Sequence, residues 1–303
     1  MAKKLKVDTI RTKLNHGTAY WMARIAQSVY QKADRDGDPN FLDERRMLSD
    51  LKGEDDGFIS VKGFSRNSAQ AAVVEHRDYI CLAFRGTDQL ADWLDNIRVS
   101  RVRALFGEFH RGFWESTEDV FHDMRKHYNG LRQQAIDEAR KAKGGKAKGG
   151  KAKGGTAPLI VNQRPLFFAG HSLGGAMATI ASAHFAAEDA AYQATYTFGQ
   201  PRAMTLETAR DFNEWSGKRF YRFHNNNDLV PRVPGRMLGY SHVGQLVYIT
   251  YDGELHDDTG FWMRFLDAID GAVSAAKEKG IDGIEDHGMD RYVAAIEGWN
   301  EKF

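Results

Sequence analysis

Residues 170–174 read Gly-His-Ser-Leu-Gly, a serine with a glycine two positions away on either side. A serine hydroxyl is a weak nucleophile until a positioned base removes its proton. The Gly-x-Ser-x-Gly pattern presents such a serine on a sharp turn from a strand into a helix, where the glycines let neighbouring backbones pass closely. The context fits. Leu166 to Ala169 reads as a buried strand, and Gly174 to Ala187 as a helix of small residues. The positive end of that helix would also favour negative charge developing beside Ser172. The chemistry predicted is nucleophilic attack by Ser172.

Such a serine needs a base and an acid that orients it, and in this arrangement both follow the serine in the chain. Asp228 is the best acid. It lies in Asn225-Asn226-Asn227-Asp228-Leu229-Val230-Pro231, just after a strand predicted at Arg219 to His224. Open α/β sheets place their sites at such carboxyl ends. His242, His256 and His287 all lie downstream of Asp228. His242 precedes a strand, and His256 sits among Glu254, Asp257 and Asp258 in what reads as an exposed turn. His287 stands on a loop entering the last helix, and its setting and late position favour it as the base.

The elements that must carry these residues alternate along the chain. A helix is predicted over Ala19 to Lys32, with Trp21, Ile25, Val29 and Tyr30 on one face. An Asp-rich turn at Asp34 to Asp38 lacks the glycine placement of a calcium loop. Strands follow at Phe58 to Phe64 and Ala71 to Phe84, the second region folding back around Glu75 to Asp78. Leu90, Trp93, Leu94 and Ile97 have the i, i+3, i+4, i+7 spacing of an amphipathic helix. A long polar helix is predicted from Phe113 to Lys141. After it come strands at Ala194 to Phe198 and Leu246 to Tyr251, and helices at Phe261 to Lys279 and Asp290 to Phe303. Strands separated by helices predict an α/β fold, a mainly parallel sheet covered on both faces.

Composition agrees. The 303 residues are 42% hydrophobic, 12% aromatic and 27% charged, enough to build a core and exclude general disorder. The single cysteine, Cys81, excludes an intramolecular disulfide framework. Lys-Ala-Lys-Gly-Gly occurs three times from Lys141 to Gly155, contributing six lysines and no acid. Elsewhere 36 basic residues face 41 acidic ones, so the near-neutral total hides an acidic body with a basic strip. The strip predicts a flexible loop inserted in one domain spanning 1–303, since the motifs on either side belong together. The stretch Pro165 to Ala187 has no Asp, Glu, Lys or Arg, but its Gly-His-Ser-Leu-Gly-Gly centre argues against a membrane span. With no apolar segment behind the N-terminal lysines, the default expectation is a cytoplasmic protein, with export lacking a cleaved signal as the alternative.

Taken together, the motifs resemble the class 3 lipase family, the fungal-lipase-like branch of the α/β-hydrolases. The resemblance rests on Phe84-Arg85-Gly86-Thr87, His110-Arg111-Gly112-Phe113, Gly170 to Gly175 and Thr197-Phe198-Gly199-Gln200-Pro201-Arg202. Asn227 to Pro234 and His242-Val243-Gly244 continue the series in family order. It implies an α/β-hydrolase fold with Ser172 as nucleophile, Asp228 as orienting acid and His287 as base. It implies an oxyanion hole from Thr87 and the N–H of Leu173, and a short lid helix at Leu90, Trp93, Leu94 and Ile97. The implied substrate is a lipid ester, met at a lipid interface. No metal, organic cofactor or specific nucleic-acid partner is expected. Three features depart from the family: there are no disulfides, Ala203-Met204 follows Pro201-Arg202, and the lysine-glycine insert at 141–155 is not a family feature. The rival expectations are a phospholipase A1, an antibacterial lipase effector, or a non-catalytic relative binding polyanions through its lysine repeat.

Overall fold

Ile80, Leu82 and Phe84 point to one side of a strand and Cys81 and Ala83 to the other, and all five are buried. A strand apolar on both sides must lie inside a sheet covered on both faces. A computed structural model describes residues 5–33, 41–96, 99–144, 164–257 and 285–299 and places this strand in such a sheet. Its eight strands are β1 (Phe58–Arg66), β2 (Ala69–His76), β3 (Ile80–Phe84), β6 (Leu166–His171), β7 (Ala194–Phe198), β9 (Phe220–Asn225), β11 (Gln245–Ile249) and β12 (Leu255–His256). They stand in the order β1-β2-β3-β6-β7-β9-β11-β12. The pairs from β3 through β11 are parallel, while β1, β2 and β12 add antiparallel edges.

One face is covered by α1 (His16–Ser28), α2 (Glu44–Glu54) and the C-terminal helix α7 (Met289–Glu297), whose apolar sides meet Cys81, Phe167, Phe198 and Phe223. On the other lie α4 (Arg111–Gly144) and α5 (Leu173–Ala187), against Leu82, Phe84 and Phe168. The α5 helix is buried almost all round, which is why its sequence is nearly continuous Gly, Ala, Met and Ile rather than an amphipathic stripe. A second, four-stranded sheet of β10 (Tyr240–Ser241), β8 (Met204–Thr205), β5 (Gly107–His110) and β4 (Arg101–Ala104) packs with α6 (Leu206–Ser216) along the side of α5 that carries Ala176, Ile180 and Ala183. The short helix α3 (Leu90–Asn96) precedes β4.

Most expected elements are present with shifted ends. The first helix begins at His16, three residues before the expected start, because the Asn15 side chain caps it by accepting from the Thr18 N–H at 2.9 Å. It ends at Ser28 rather than Lys32. His256, expected in an exposed turn, pairs with Tyr248 on the edge strand β12. Helices α2 and α6 and the second sheet were not anticipated. The α2 helix buries only Met47 and Leu51, and α6 buries Thr208, Ala209, Phe212 and Ser216, so neither shows a strong apolar stripe. Asp34 to Asp38, Phe261 to Lys279, Ile97 and the lysine-glycine repeat from 145 onward lie outside the described residues. Strands that precede and follow that repeat in the chain share one sheet, with Ile80 on β3 opposite Leu166 on β6.

Candidate active site

β6 ends at His171, α5 begins at Leu173, and the turn between them is a single residue, Ser172. Its backbone has φ 58° and ψ −132°, a region that side chains other than glycine avoid. The conformation is held from both sides. The Ser172 N–H donates to the Phe198 carbonyl at 2.9 Å, and its own carbonyl accepts from Gly175 N–H at 2.9 Å. Gly174 is required here because any Cβ would lie within 2.7 Å of the backbone at Phe84 and Arg85. The elbow therefore packs directly on the loop that follows β3.

Asp228 stands just past β9, fully buried. His287 Nδ1 donates to its carboxylate at 2.8 and 2.9 Å, and Tyr292 donates its hydroxyl hydrogen to Oδ2 at 2.6 Å. The Val230 N–H reaches Oδ1 at 2.9 Å. Burial alone would favour the neutral acid, but the His287 imidazole and these donors outweigh it and hold the carboxyl below its usual range. His287 sits on the loop entering α7, which is tied to the Asp228 loop by Asp286. That carboxylate accepts from Asn226 Nδ2 at 2.9 Å and Asn227 N–H at 3.2 Å.

The structure thus joins two of the three expected residues directly and sets the third beside them. The His287 and His171 rings lie 4.4 Å apart, and His171 immediately precedes Ser172. Ser172 Oγ and His287 Nε2 are both buried, and neither has a hydrogen-bond partner among the described residues. With Nδ1 donating to Asp228, Nε2 is left as the ring's free acceptor. The other downstream histidines are used elsewhere. His242 is half-buried and donates Nε2–H to the Pro231 carbonyl at 2.7 Å, supporting the acid loop. Burial and the Arg222 and Arg202 guanidiniums push it far below the usual imidazole range.

Thr87 lies on the loop after β3, half-buried, with its Oγ1 accepting from Gln89 N–H at 3.1 Å, which leaves the hydroxyl hydrogen free to donate elsewhere. Leu173 opens α5, so its N–H has no carbonyl of an earlier helical turn to bond. Leu90, Trp93 and Leu94 on α3 are half-buried, and Trp93 stacks on Phe113 at 5.9 Å. Among the described residues no cluster of three or more His, Cys, Asp or Glu could hold a metal ion, and no helix is long and apolar enough to cross a membrane. Three contributors escaped the sequence reading. Tyr292 follows His287 by only five positions, Tyr30 reads as part of the apolar face of the helix expected over Ala19 to Lys32, and His171 has no assigned role inside the elbow.

Comparison with known proteins agrees with this arrangement. Solved structures with the same fold include lipase II from Rhizopus niveus (TM-score 0.58, 20% identity, 78% of this chain and 82% of that one). Another is a triacylglycerol lipase whose catalytic centre is described as a serine protease triad (TM-score 0.56, 19% identity, 77% and 79%). Both are α/β-hydrolase folds, and so is this chain. A secreted mono- and diacylglycerol lipase of Malassezia restricta is 34% identical over 97 residues, 31% of this chain and 32% of the relative. One from Fusarium solani is 28% identical over 178 residues, 57% and 45%. A phospholipase A1 of Oryza sativa is 27% identical over 203 residues, 62% and 45%. The matched segments thus span about a third to under a half of these curated relatives. The Malassezia and Fusarium relatives are named as secreted, which overturns the expectation of a cytoplasmic protein. Residues 81–238, just over half of the sequence and including both the elbow and Asp228, match the family model for lipase (class 3), and the chain belongs to that family.

Proposed function

We propose that the protein is a serine carboxylester hydrolase acting on lipid esters through an acyl-enzyme. The observation that carries this reading is the buried Asp228–His287 pair beside a serine on a strained strand-to-helix turn. Ser172 Oγ attacks the ester carbonyl while His287 Nε2 takes its proton. The tetrahedral oxyanion accepts hydrogen bonds from the Leu173 and Thr87 N–H groups and the Thr87 hydroxyl, each such donor being worth roughly 3 kcal/mol in serine hydrolases. His287 then hands the proton to the departing alkoxide, and water releases the acid by the reverse sequence. Asp228 stays ionised throughout, holding the ring in the Nδ1–H tautomer and stabilising the imidazolium. The decisive experiment is Ser172→Ala on folded protein. Ester hydrolysis should disappear, and unchanged activity would overturn the reading.

We read the chain as one domain, with the lysine-glycine repeat inserted in it and α3 as the lid element. A rate jump on nitrophenyl esters above their solubility limit is the expected sign of a working lid. A phospholipase A1 is the second reading, favoured by the rice relative. Product analysis on triacylglycerol against phosphatidylcholine separates the two.

A further inference from the structure

Three hydrogen bonds join parts of the site that the triad does not connect. Tyr30, just past the end of α1, accepts from the Gly86 N–H at 3.0 Å. Its hydroxyl lies 2.7 Å from His171 Nδ1, and His171 Nε2 lies 2.7 Å from the backbone carbonyl oxygen of His287. Their directions follow by elimination. A carbonyl only accepts, so His171 Nε2 carries a hydrogen. Burial, reinforced by the neighbouring His287, pushes the His171 pKa down to about 3, so the ring is neutral and Nδ1 is a bare acceptor. Tyr30 therefore gives its hydrogen to Nδ1, and burial pushes its phenol upward so that the hydrogen stays in place. The chain runs from Gly86 N–H to Tyr30, from Tyr30 O–H to His171, and from His171 Nε2–H to His287.

We infer that Tyr30 and His171 are positioning residues, a relay that holds the oxyanion loop at Gly86–Thr87 and the backbone of His287 at fixed places on either side of Ser172. The inference rests on the hydrolase reading. An ordinary core tyrosine would satisfy its hydroxyl on whatever backbone lay nearest. Here both partners belong to the site. The relay also has a counterpart on the other side of Thr87. Asp88 Oδ2 accepts from Lys32 Nζ at 2.6 Å and from Arg85 Nη2 at 2.5 Å, so the loop is tied at Gly86 and again at Asp88. The Gly86 amide is already engaged by Tyr30, which leaves the Thr87 N–H as the donor available to an oxyanion. A donor displaced by even a fraction of an ångström loses its value in the transition state more than in the ground state.

The test is a set of four variants measured for kcat, KM and stability. Tyr30→Phe removes one acceptor and one donor, and should lower kcat by roughly ten- to a hundredfold with KM little changed, the mark of an interaction realised in the transition state. His171→Leu should do the same. His171→Gln offers an N–H to the His287 carbonyl and an oxygen to Tyr30, so it should recover kcat to within a few-fold. Tyr221→Phe is the control: that hydroxyl donates to the Thr12 carbonyl at 2.6 Å, away from the site, and its loss should cost stability without lowering kcat. Independently of turnover, hydrogen exchange at the Gly86 amide should accelerate in Tyr30→Phe and not in Tyr221→Phe. Parental kcat in Tyr30→Phe, an equal fall in Tyr221→Phe, or a His171→Gln as damaged as His171→Leu would each overturn the relay. Unaltered exchange at Gly86 would do so too. If Ser172→Ala is dead while Tyr30→Phe is fully active, only the relay falls. If Ser172→Ala keeps the parental esterase rate, the hydrolase reading falls, and the exchange experiment still decides whether Tyr30 holds the Gly86 amide.

Discussion

Tyr292 donates its hydroxyl hydrogen to Oδ2 of Asp228 at 2.6 Å, the same oxygen that receives the shorter of the two His287 Nδ1 contacts. The tyrosine oxygen in turn accepts from the Asn225 N–H at 3.0 Å. One side chain from α7 thus supports the acid and the strand end that leads to it. Tyr292→Phe should raise the Asp228 pKa and leave the Asn225 amide unpaired. The expected loss is about 1–3 kcal/mol of stability, the cost of stranding a buried polar partner, read from urea denaturation. The accompanying fall in kcat should be smaller than that of Asp228→Asn.

Asp228→Asn itself should keep the fold, because the amide is close to the carboxyl in size and shape. Its Nδ2 is a donor, however, and His287 Nδ1 would have to become an acceptor to pair with it. Nε2 would then carry the hydrogen and could not take one from Ser172. A fall in kcat of roughly 10⁴ is expected, as in other triads, with an unchanged circular dichroism spectrum.

Gly199 has φ +57°, and a Cβ there would lie 2.7 Å from both Asp228 Oδ2 and His287 Nδ1. Gly199→Ala should therefore push apart the acid and the base and abolish most of the activity. Gly253 has φ +83° with nothing within 4 Å of a Cβ, so Gly253→Ala carries the backbone cost of about 1 kcal/mol without the collision. Activity per folded molecule should survive in Gly253→Ala and fail in Gly199→Ala.

Acid should destabilise this fold through its buried neutral histidines. His171 and His224 each have a pKa pushed to about 3, first by burial, against an ordinary 6.5. Between those values the unfolded chain binds protons that the folded one refuses, so stability is full above pH 6.5 and drains away as pH falls toward 3. Each such histidine contributes a slope of roughly 1.4 kcal/mol per pH unit. His224 Nε2 donates to the Asp228 carbonyl at 3.1 Å, a bond that glutamine can mimic. Urea midpoints from pH 7 to pH 4 should fall less steeply in His224→Gln than in the parent.

How far the sequence revealed this molecule depended on whether a residue's role was local. The elbow could be read because strand, turn and helix are contiguous, and β7 matches its expected bounds residue for residue, with all five residues buried. Asp228 and His287 could be ranked by chain order and loop setting, and the geometry pairs them. Helix α2 was invisible because only Met47 and Leu51 are buried in its polar sequence. The second sheet escaped because β8 and β10 are two residues each. Tyr30 illustrates the harder limit. The sequence puts it on the apolar face of the expected first helix, which in fact stops at Ser28, and its partners are 56 and 141 positions away with no local pattern to mark them.

The backbone at Ser172 has one further consequence. Glycine would occupy φ 58°, ψ −132° without strain, while serine costs of order 1–3 kcal/mol there. A copy of this chain released from the need to react would gain stability by exchanging that one residue. The serine is therefore kept against the interest of the fold. A glycine found at this position in a sister chain would mark a protein that has given up its chemistry and kept its architecture.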